Sequence, residues 1–169
     1  MKQQILIAIL GAAALAAASS AAAHVSVSPK ELLPGAETMV KFHIGHGCDG
    51  APTTEVRVDI PRQLTMAHPM QVEGWSLTSK ASGKRTTSIS WKADGAPATT
   101  PDFEVHIGLP RTSGPVYLPV TQTCGKTVVR WNETPKGDKK LSRPAPSIQV
   151  TDHPMEAPAT GAPMDHMQH

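Results

Sequence analysis

Apolar and polar residues alternate with a period of two along most of the chain, in short runs closed by proline or glycine. In one run Val56, Val58 and Ile60 alternate with charged residues, and a proline closes the run. Such alternation is typical of strands that bury one face. The predicted fold class is therefore all-β: an antiparallel β-sandwich, Ig-like or cupredoxin-like, with seven or eight strands. The apolar positions of the other runs are Val25 and Val27; Val40, Phe42 and Ile44; Ile89 and Trp91; Phe103, Val105, Ile107 and Leu109; Val116, Leu118 and Val120; and Val129 and Trp131.

Residues 1–23 have the three parts of a secretory signal peptide. Lys2 supplies the positive charge, residues 5–18 are apolar and uncharged, and small residues follow up to Ala23. A membrane span needs about 20 apolar residues, so this run is short for one. We expect export, with the periplasm favoured over full secretion. Cleavage after Ala23 would make His24 the first residue of the mature chain, whereas cleavage after Ala22 would leave an alanine before it.

Residues 24–142 are predicted to form one domain, and residues 143–169 a disordered tail rich in Pro, Met and His. No second apolar run follows the first, so we expect no membrane anchor in the mature chain. The formal net charge of +2 gives no basic patch of the kind that nucleic-acid binding needs. These features exclude nucleic acid as a partner and leave a small exported domain.

Cys48 and Cys124 are the two cysteines of the chain. In an exported protein an even number of cysteines favours a disulfide. Closing a loop of this length would stabilise the fold by about 4 kcal/mol in the chain-entropy model, which is disputed. Two free thiols, or two thiolate ligands for copper, are the alternatives.

A mature N-terminal His24 would offer two nitrogen ligands to one metal ion. Its α-amine and its imidazole Nδ1 close a six-membered chelate, which suits the tetragonal geometry of Cu(II). Both nitrogens can lose their protons to a metal near neutral pH. The alternative is that His24 is only the residue at which the signal peptidase cut.

Several stretches in combination resemble the YcnI-like copper-binding domain family over residues 24–150. They are His24–Pro29, Leu33–Thr38, Pro52–Pro61, Gly74-Trp75 and Val128–Trp131. The resemblance implies an exported β-sandwich that binds Cu(II) through a single-histidine brace. In that family the N-terminal histidine gives amine and imidazole, a glutamate adds a carboxylate, and a tryptophan lies against the metal.

By position, the family's metal-site residues match His24, Glu37 and Trp131. A hairpin around Pro34-Gly35 would return Glu37 toward His24, and the indole of Trp131 would present its π face to the cation. Without the resemblance, Glu37 is typical of a solvated residue at the start of a strand. Trp131 is then typical of a core aromatic, as Trp75 and Trp91 are.

Softer ligands occur elsewhere and could form auxiliary copper sites. Met66, His68 and Met70 alternate, and thioether sulfur together with imidazole suits Cu(I). Pro69 favours a loop instead, in which these three side chains act independently. The tail adds residues that could bind copper weakly and pass it on: His153, Met155, Met164, His166, Met167 and His169. The remaining internal histidines are expected at the surface: His43, His46 and His106.

The sequence therefore predicts an exported copper-binding protein, not an enzyme, that holds Cu(II) for storage, delivery or detoxification. Copper itself and another periplasmic copper protein or transporter are the expected partners. Oxidative copper enzymes with an N-terminal histidine use a second equatorial histidine, and no other histidine here falls on a matching motif. The alternatives are a copper-dependent redox enzyme of the periplasm and an Ig-like interaction module with incidental metal binding.

Overall fold

A computed structural model describes residues 24–154 of the chain. In this range the chain forms only β-structure and no helix, so it has no helix that could cross a membrane. The predicted signal peptide and the tail from Met155 onward lie outside the described residues. The strands are β1 (Ser26–Ser28), β2 (Glu31–Leu32), β3 (Glu37–His43), β4 (Glu55–Asp59), β5 (Met66–Pro69), β6 (Trp75–Ser82), β7 (Arg85–Ala93), β8 (Phe103–Gly108), β9 (Gly114–Tyr117), β10 (Val120–Cys124), β11 (Thr127–Trp131) and β12 (Ser147–Val150).

The strands form two larger antiparallel sheets and one small sheet. The four-stranded sheet has the order β1-β3-β8-β5, and the five-stranded sheet has the order β11-β10-β4-β7-β6. The small sheet has the order β2-β12-β9, with β2 and β12 parallel. The all-β sandwich prediction is confirmed, although the described residues hold more and shorter strands than the seven or eight expected.

The period-two pattern becomes the inside and outside of the sheets. In β3, Val40 and Phe42 are buried while Lys41 and His43 face solvent. This burial of alternate apolar side chains is what holds strands of so few residues together. Trp75 and Trp91 belong to the core, as predicted. The largest fully buried side chains come from all three sheets and the adjoining loops: Trp91, Phe42, Phe103, Ile89, Ile107, Leu109, Leu118 and Ile148.

Cys48 and Cys124 form a disulfide, with their Cα atoms 5.7 Å apart. Cys48 lies in the loop between β3 and β4, and Cys124 is the last residue of β10. The disulfide therefore ties the β3–β4 loop to the five-stranded sheet. This confirms the favoured alternative and leaves neither cysteine as a thiolate ligand.

Two segments that were expected to be irregular are strands. Ile148 and Val150 of β12 are fully buried, so the folded domain extends past residue 142 and the predicted tail begins too early. Pro144 and Pro146 precede the strand and Pro154 follows it, so none of them interrupts it. Met66–Pro69 forms β5, and Pro69 is tolerated because β5 is an edge strand, where a missing backbone N–H need not break a ladder.

Candidate metal centre

His24 lies at a solvent-exposed end of the sandwich, just before its first strand. Ser26 pairs with His43, the last residue of β3, so His24 lies beyond the end of that strand pair. The side chain of Val25 is 4% exposed and anchors the chain in the core, whereas His24 itself is exposed. The residue is therefore fixed in place by its neighbour while its own side chain stays accessible.

The imidazole of His24 lies against the indole of Trp131. The two ring centroids are 5.8 Å apart and the ring planes are tilted by 60°. His24 precedes β1, an edge strand of the four-stranded sheet, and Trp131 ends β11, an edge strand of the five-stranded sheet. The sandwich thus brings together two residues that the sequence singled out from opposite ends of the domain.

A chain of hydrogen bonds fixes the orientation of the indole. Trp131 Nε1 donates to Gln122 Oε1 at 3.2 Å. Gln122 Nε2 in turn donates to the backbone carbonyl of His46 at 2.7 Å and to Thr53 Oγ1 at 2.9 Å. Because the indole N–H is committed to Gln122, Trp131 can offer only its ring to whatever binds at His24.

The sequence analysis did not single out Gln122, although a polar residue at an inward position of a strand is unusual. On β10 it lies between Val120 and Cys124 at alternate positions, so it points inward with them, and it is buried. A polar side chain at an inward position of a strand has to find hydrogen-bond partners. Here those partners are the tryptophan beside His24 and the β3–β4 loop.

The β3–β4 loop reaches the same end of the molecule as His24. Gln122 and the disulfide connect it to β10, two residues apart on that strand. His46 in this loop is exposed, as expected, and its Nδ1 lies 2.6 Å from the carbonyl oxygen of Gly47. His43, also exposed, is paired through Nδ1 with Asp102 at 2.8 Å.

Glu37 lies at the other end of β3. It is the first residue of the strand and pairs with Gly108, whereas His43 pairs with Ser26 near His24. A strand of 7 residues spans about 20 Å. The predicted turn does form, with Gly35 at a φ of 71°, but its N–H bonds to the Pro110 carbonyl at the far end. The structure therefore contradicts the prediction that Glu37 and His24 share one metal ion.

No three His, Cys, Asp or Glu side chains within residues 24–154 are placed to hold a metal ion together. A metal at His24 therefore needs a donor other than such side chains. The α-amine of His24 is such a donor, but only in a chain cut immediately before it. The exposed, anchored histidine fits this requirement, and the carboxylate assigned from the resemblance does not.

The other predicted ligands are distributed over the surface. Met66 and His68 share one face of β5, and Met70, the residue after the strand, is exposed. His106 on the neighbouring β8, which was expected at the surface, is half-buried. His153 is exposed near the end of the described residues. The remaining tail residues lie outside the described residues: Met155, Met164, His166, Met167 and His169.

A family model described as a domain of unknown function, DUF1775, matches residues 24–150. The chain belongs to this family. Since the YcnI-like family is DUF1775, the resemblance found in the sequence is confirmed at the level of the family. The DUF1775 match begins at His24 and includes β12, so it covers the whole folded domain. Its description assigns no function, and copper binding is an expectation beyond it.

One solved structure similar to this DUF1775 chain is a crystal structure of an uncharacterized protein from Nocardia farcinica, whose title reports an immunoglobulin-like fold. It matches with a TM-score of 0.65 and 29% sequence identity, over 75% of this chain and 97% of that chain. This similarity agrees with the Ig-like sandwich predicted from the alternation. No curated protein matches the chain significantly.

Proposed function

We propose that this chain is an exported copper-binding protein that holds Cu(II) at a mature N-terminal His24. The observation that supports the proposal is the packing of the exposed His24 imidazole against Trp131, at 5.8 Å between ring centroids. The role would be copper storage, delivery or detoxification. Copper is thus the cargo, received from or passed to another protein of the same compartment.

The chemistry of the site follows from cleavage after Ala23. The freed amine and Nδ1 of His24 chelate Cu(II), and nitrogen donors in this arrangement suit its tetragonal preference. The indole of Trp131 covers one side of the ion. A further ligand is to be sought in the β3–β4 loop, which comes to the same end of the sandwich, and not at Glu37.

A holding role is favoured over an oxidative one. An oxidative copper site needs an open position for oxygen, and an indole packed against His24 would obstruct such a position. In the holding role, the bound copper should not cycle between Cu(II) and Cu(I). Ascorbate-driven peroxide production well above that of free Cu(II) would instead support the redox-enzyme alternative.

The test is calorimetric titration of Cu(II) into the full mature chain beginning at His24. Two changed chains are compared with it: one whose His24 α-amine is acetylated, and one with His24→Ala. Each removes one nitrogen of the chelate while leaving the core residue Val25 in place. We expect Cu(II) binding to weaken by orders of magnitude in both.

Glu37→Gln is the matched control, because Glu37 lies about 20 Å from the His24 end of β3. Its Cu(II) affinity is expected to equal that of the mature parent. Equal affinity of the parent and the acetylated chain would contradict the proposal, and would favour an interaction module that binds metal incidentally.

A further inference from the structure

The outward face of the four-stranded sheet carries a row of metal-ligating side chains that no functional role above uses. His68 of β5 pairs directly with His106 of β8, and His106 pairs directly with Met39 of β3. Directly paired residues point to the same face, with their Cβ atoms about 4.5–5.5 Å apart. His68 and Met39 are exposed and His106 is half-buried, so the row faces solvent.

Gly108 has no side chain, which leaves room for Met66 to lie over β8 beside this row. Met66 pairs with Gly108 of β8, two residues along from His106. A Cβ placed on Gly108 would lie 2.9 Å from Met66 Cγ. The hydroxyl of Thr65, which would lie closer still, and the side chain of Met66 together occupy the space that any other residue at position 108 would fill. Met66 and His68 lie two residues apart on the same face of β5, so a flexible thioether is within reach of the row.

We propose that His68, His106 and Met66 form a second metal site, selective for Cu(I), with Met39 beside it. Two imidazoles on adjacent strands can meet at one ion above the sheet. Thioether sulfur is a soft ligand, and together with imidazole it favours Cu(I) over hard cations such as Mg²⁺ or Ca²⁺. A methionine side chain is also flexible enough to adjust its sulfur to the ion.

On the β3 side the charges around the row do not oppose a cation, whereas on the β5 side Lys84 and Arg85 line the same cavity as Met66 and His68. Lys41, the next outward residue of β3 after Met39, lies 3.5 Å from Glu104 and 3.6 Å from Asp102. Its ammonium is therefore compensated by two carboxylates. Glu37, the outward residue on the other side of Met39, adds a negative charge to the same face.

This site is separate from the one at His24 and does not depend on it. Met39 lies four residues from His43, about 13 Å from the His24 end of the sheet along the strand. None of the three ligands needs the α-amine that cleavage releases. The two proposals can therefore fail independently.

The test uses Ag(I), a redox-inert ion with the same preference for soft ligands, added to the full mature chain. The readout is the imidazole 15N signals of the individual histidines, because methionines and histidines of the tail also offer soft ligands. We expect Ag(I) to shift the ring signals of both His68 and His106. Met66→Leu should reduce these shifts at equal Ag(I) concentration.

Stoichiometry gives a second readout, with Cu(I) delivered as its bicinchoninate complex. The double variant His68→Ala/His106→Ala should bind one Cu(I) fewer than the parent. The matched control His43→Ala removes an exposed histidine from the same face of β3 and should bind as many as the parent. A chain acetylated at the His24 amine should keep the full Ag(I) response even though its Cu(II) chelate is lost.

Unshifted His68 and His106 signals in the parent chain would overturn the proposal without any variant. So would equal Cu(I) stoichiometry in the double variant and the parent. Thermal unfolding checks that the variants fold, as expected for outward positions. Should the double variant unfold, the parent spectra and the conservative Met66→Leu variant decide the question.

Discussion

Trp131 is constrained on both sides of its indole. Nε1 donates to the buried Gln122, and the ring lies against the imidazole of His24. Burying the polar amide of Gln122 would be costly without partners, and here each of its hydrogen-bonding atoms has one. The indole is therefore pre-oriented before any ion arrives, which reduces the cost of ordering a site at His24.

This geometry predicts a spectroscopic response to copper. Cu(II) bound at His24 would lie within a few ångströms of the Trp131 ring and should quench its fluorescence strongly. Titration of the mature chain with Cu(II) should therefore lower the tryptophan emission, and Trp131→Phe should remove most of that change. The measurement is steady-state fluorescence at equal protein concentration.

Trp75→Phe supplies the matched control. Trp75 is in the core on β6, the edge of the five-stranded sheet opposite to β11, about 19 Å away at the spacing of neighbouring strands. Quenching should persist in this variant. If Trp131→Phe and Trp75→Phe retain the same quenching, copper does not bind beside Trp131.

The sequence could place some residues of the candidate site and not others. His24 was identified from the cleavage pattern and Trp131 from the family resemblance, and the fold brings them together. Glu37 was assigned from the same resemblance but lies at the wrong end of β3. Strand register decides which end of a strand meets a given neighbour, and the spacing of residues in one sequence does not contain it.

Among the structural elements, the loop after β11 is held together by the carboxylate of Glu133, which binds backbone groups at the other end of the loop. Glu133 Oε2 accepts hydrogen bonds from the backbone N–H groups of Ser142 at 2.7 Å and Arg143 at 3.0 Å. These bonds, that from Arg143 first, lower the pKa of Glu133 below its ordinary value of 4.5. Glu133 thereby closes the loop that directly follows Trp131.

The lowered pKa predicts how stability depends on pH at this element. Because the pKa of Glu133 is lower in the folded chain, its ionised form stabilises the fold above the unfolded value, and this contribution is lost as pH falls through the folded value. Glu133→Gln should therefore lower the thermal unfolding midpoint at neutral pH. The difference from the parent should shrink in acid, as followed by circular dichroism. A difference independent of pH would contradict this role of the charge.

At the same scale, the sequence predicted the strands that alternate cleanly and missed those that do not. β3, β4 and β8 bury every second residue, and each was expected. Most of β6 is exposed and has no such pattern. β12 was assigned to the tail because prolines surround it, although Ile148 and Val150 alternate with polar residues there. The prolines led us to assign this segment to the tail, although its short alternation of apolar and polar residues correctly indicates a strand.

For the whole molecule, the sandwich places the edges of its two larger sheets so that residues distant in sequence form one end. β1 and β11 are edge strands, and His24 and Trp131 meet where they approach each other. The disulfide and Gln122 tie the β3–β4 loop to the same end. The outward face of the four-stranded sheet carries the Met and His row well away from it. On the two proposals made above, one DUF1775 domain would offer two separate places for copper of different oxidation states.

We have proposed that the exported protein begins at His24 and holds copper there. Native mass spectrometry of the protein recovered after export and exposure to Cu(II) tests both parts in one spectrum. We expect a chain whose first residue is His24, with the disulfide formed and copper bound, and loss of that copper when the α-amine of His24 is acetylated. A protein that begins at any other residue, or one that begins at His24 and retains no copper, would contradict it.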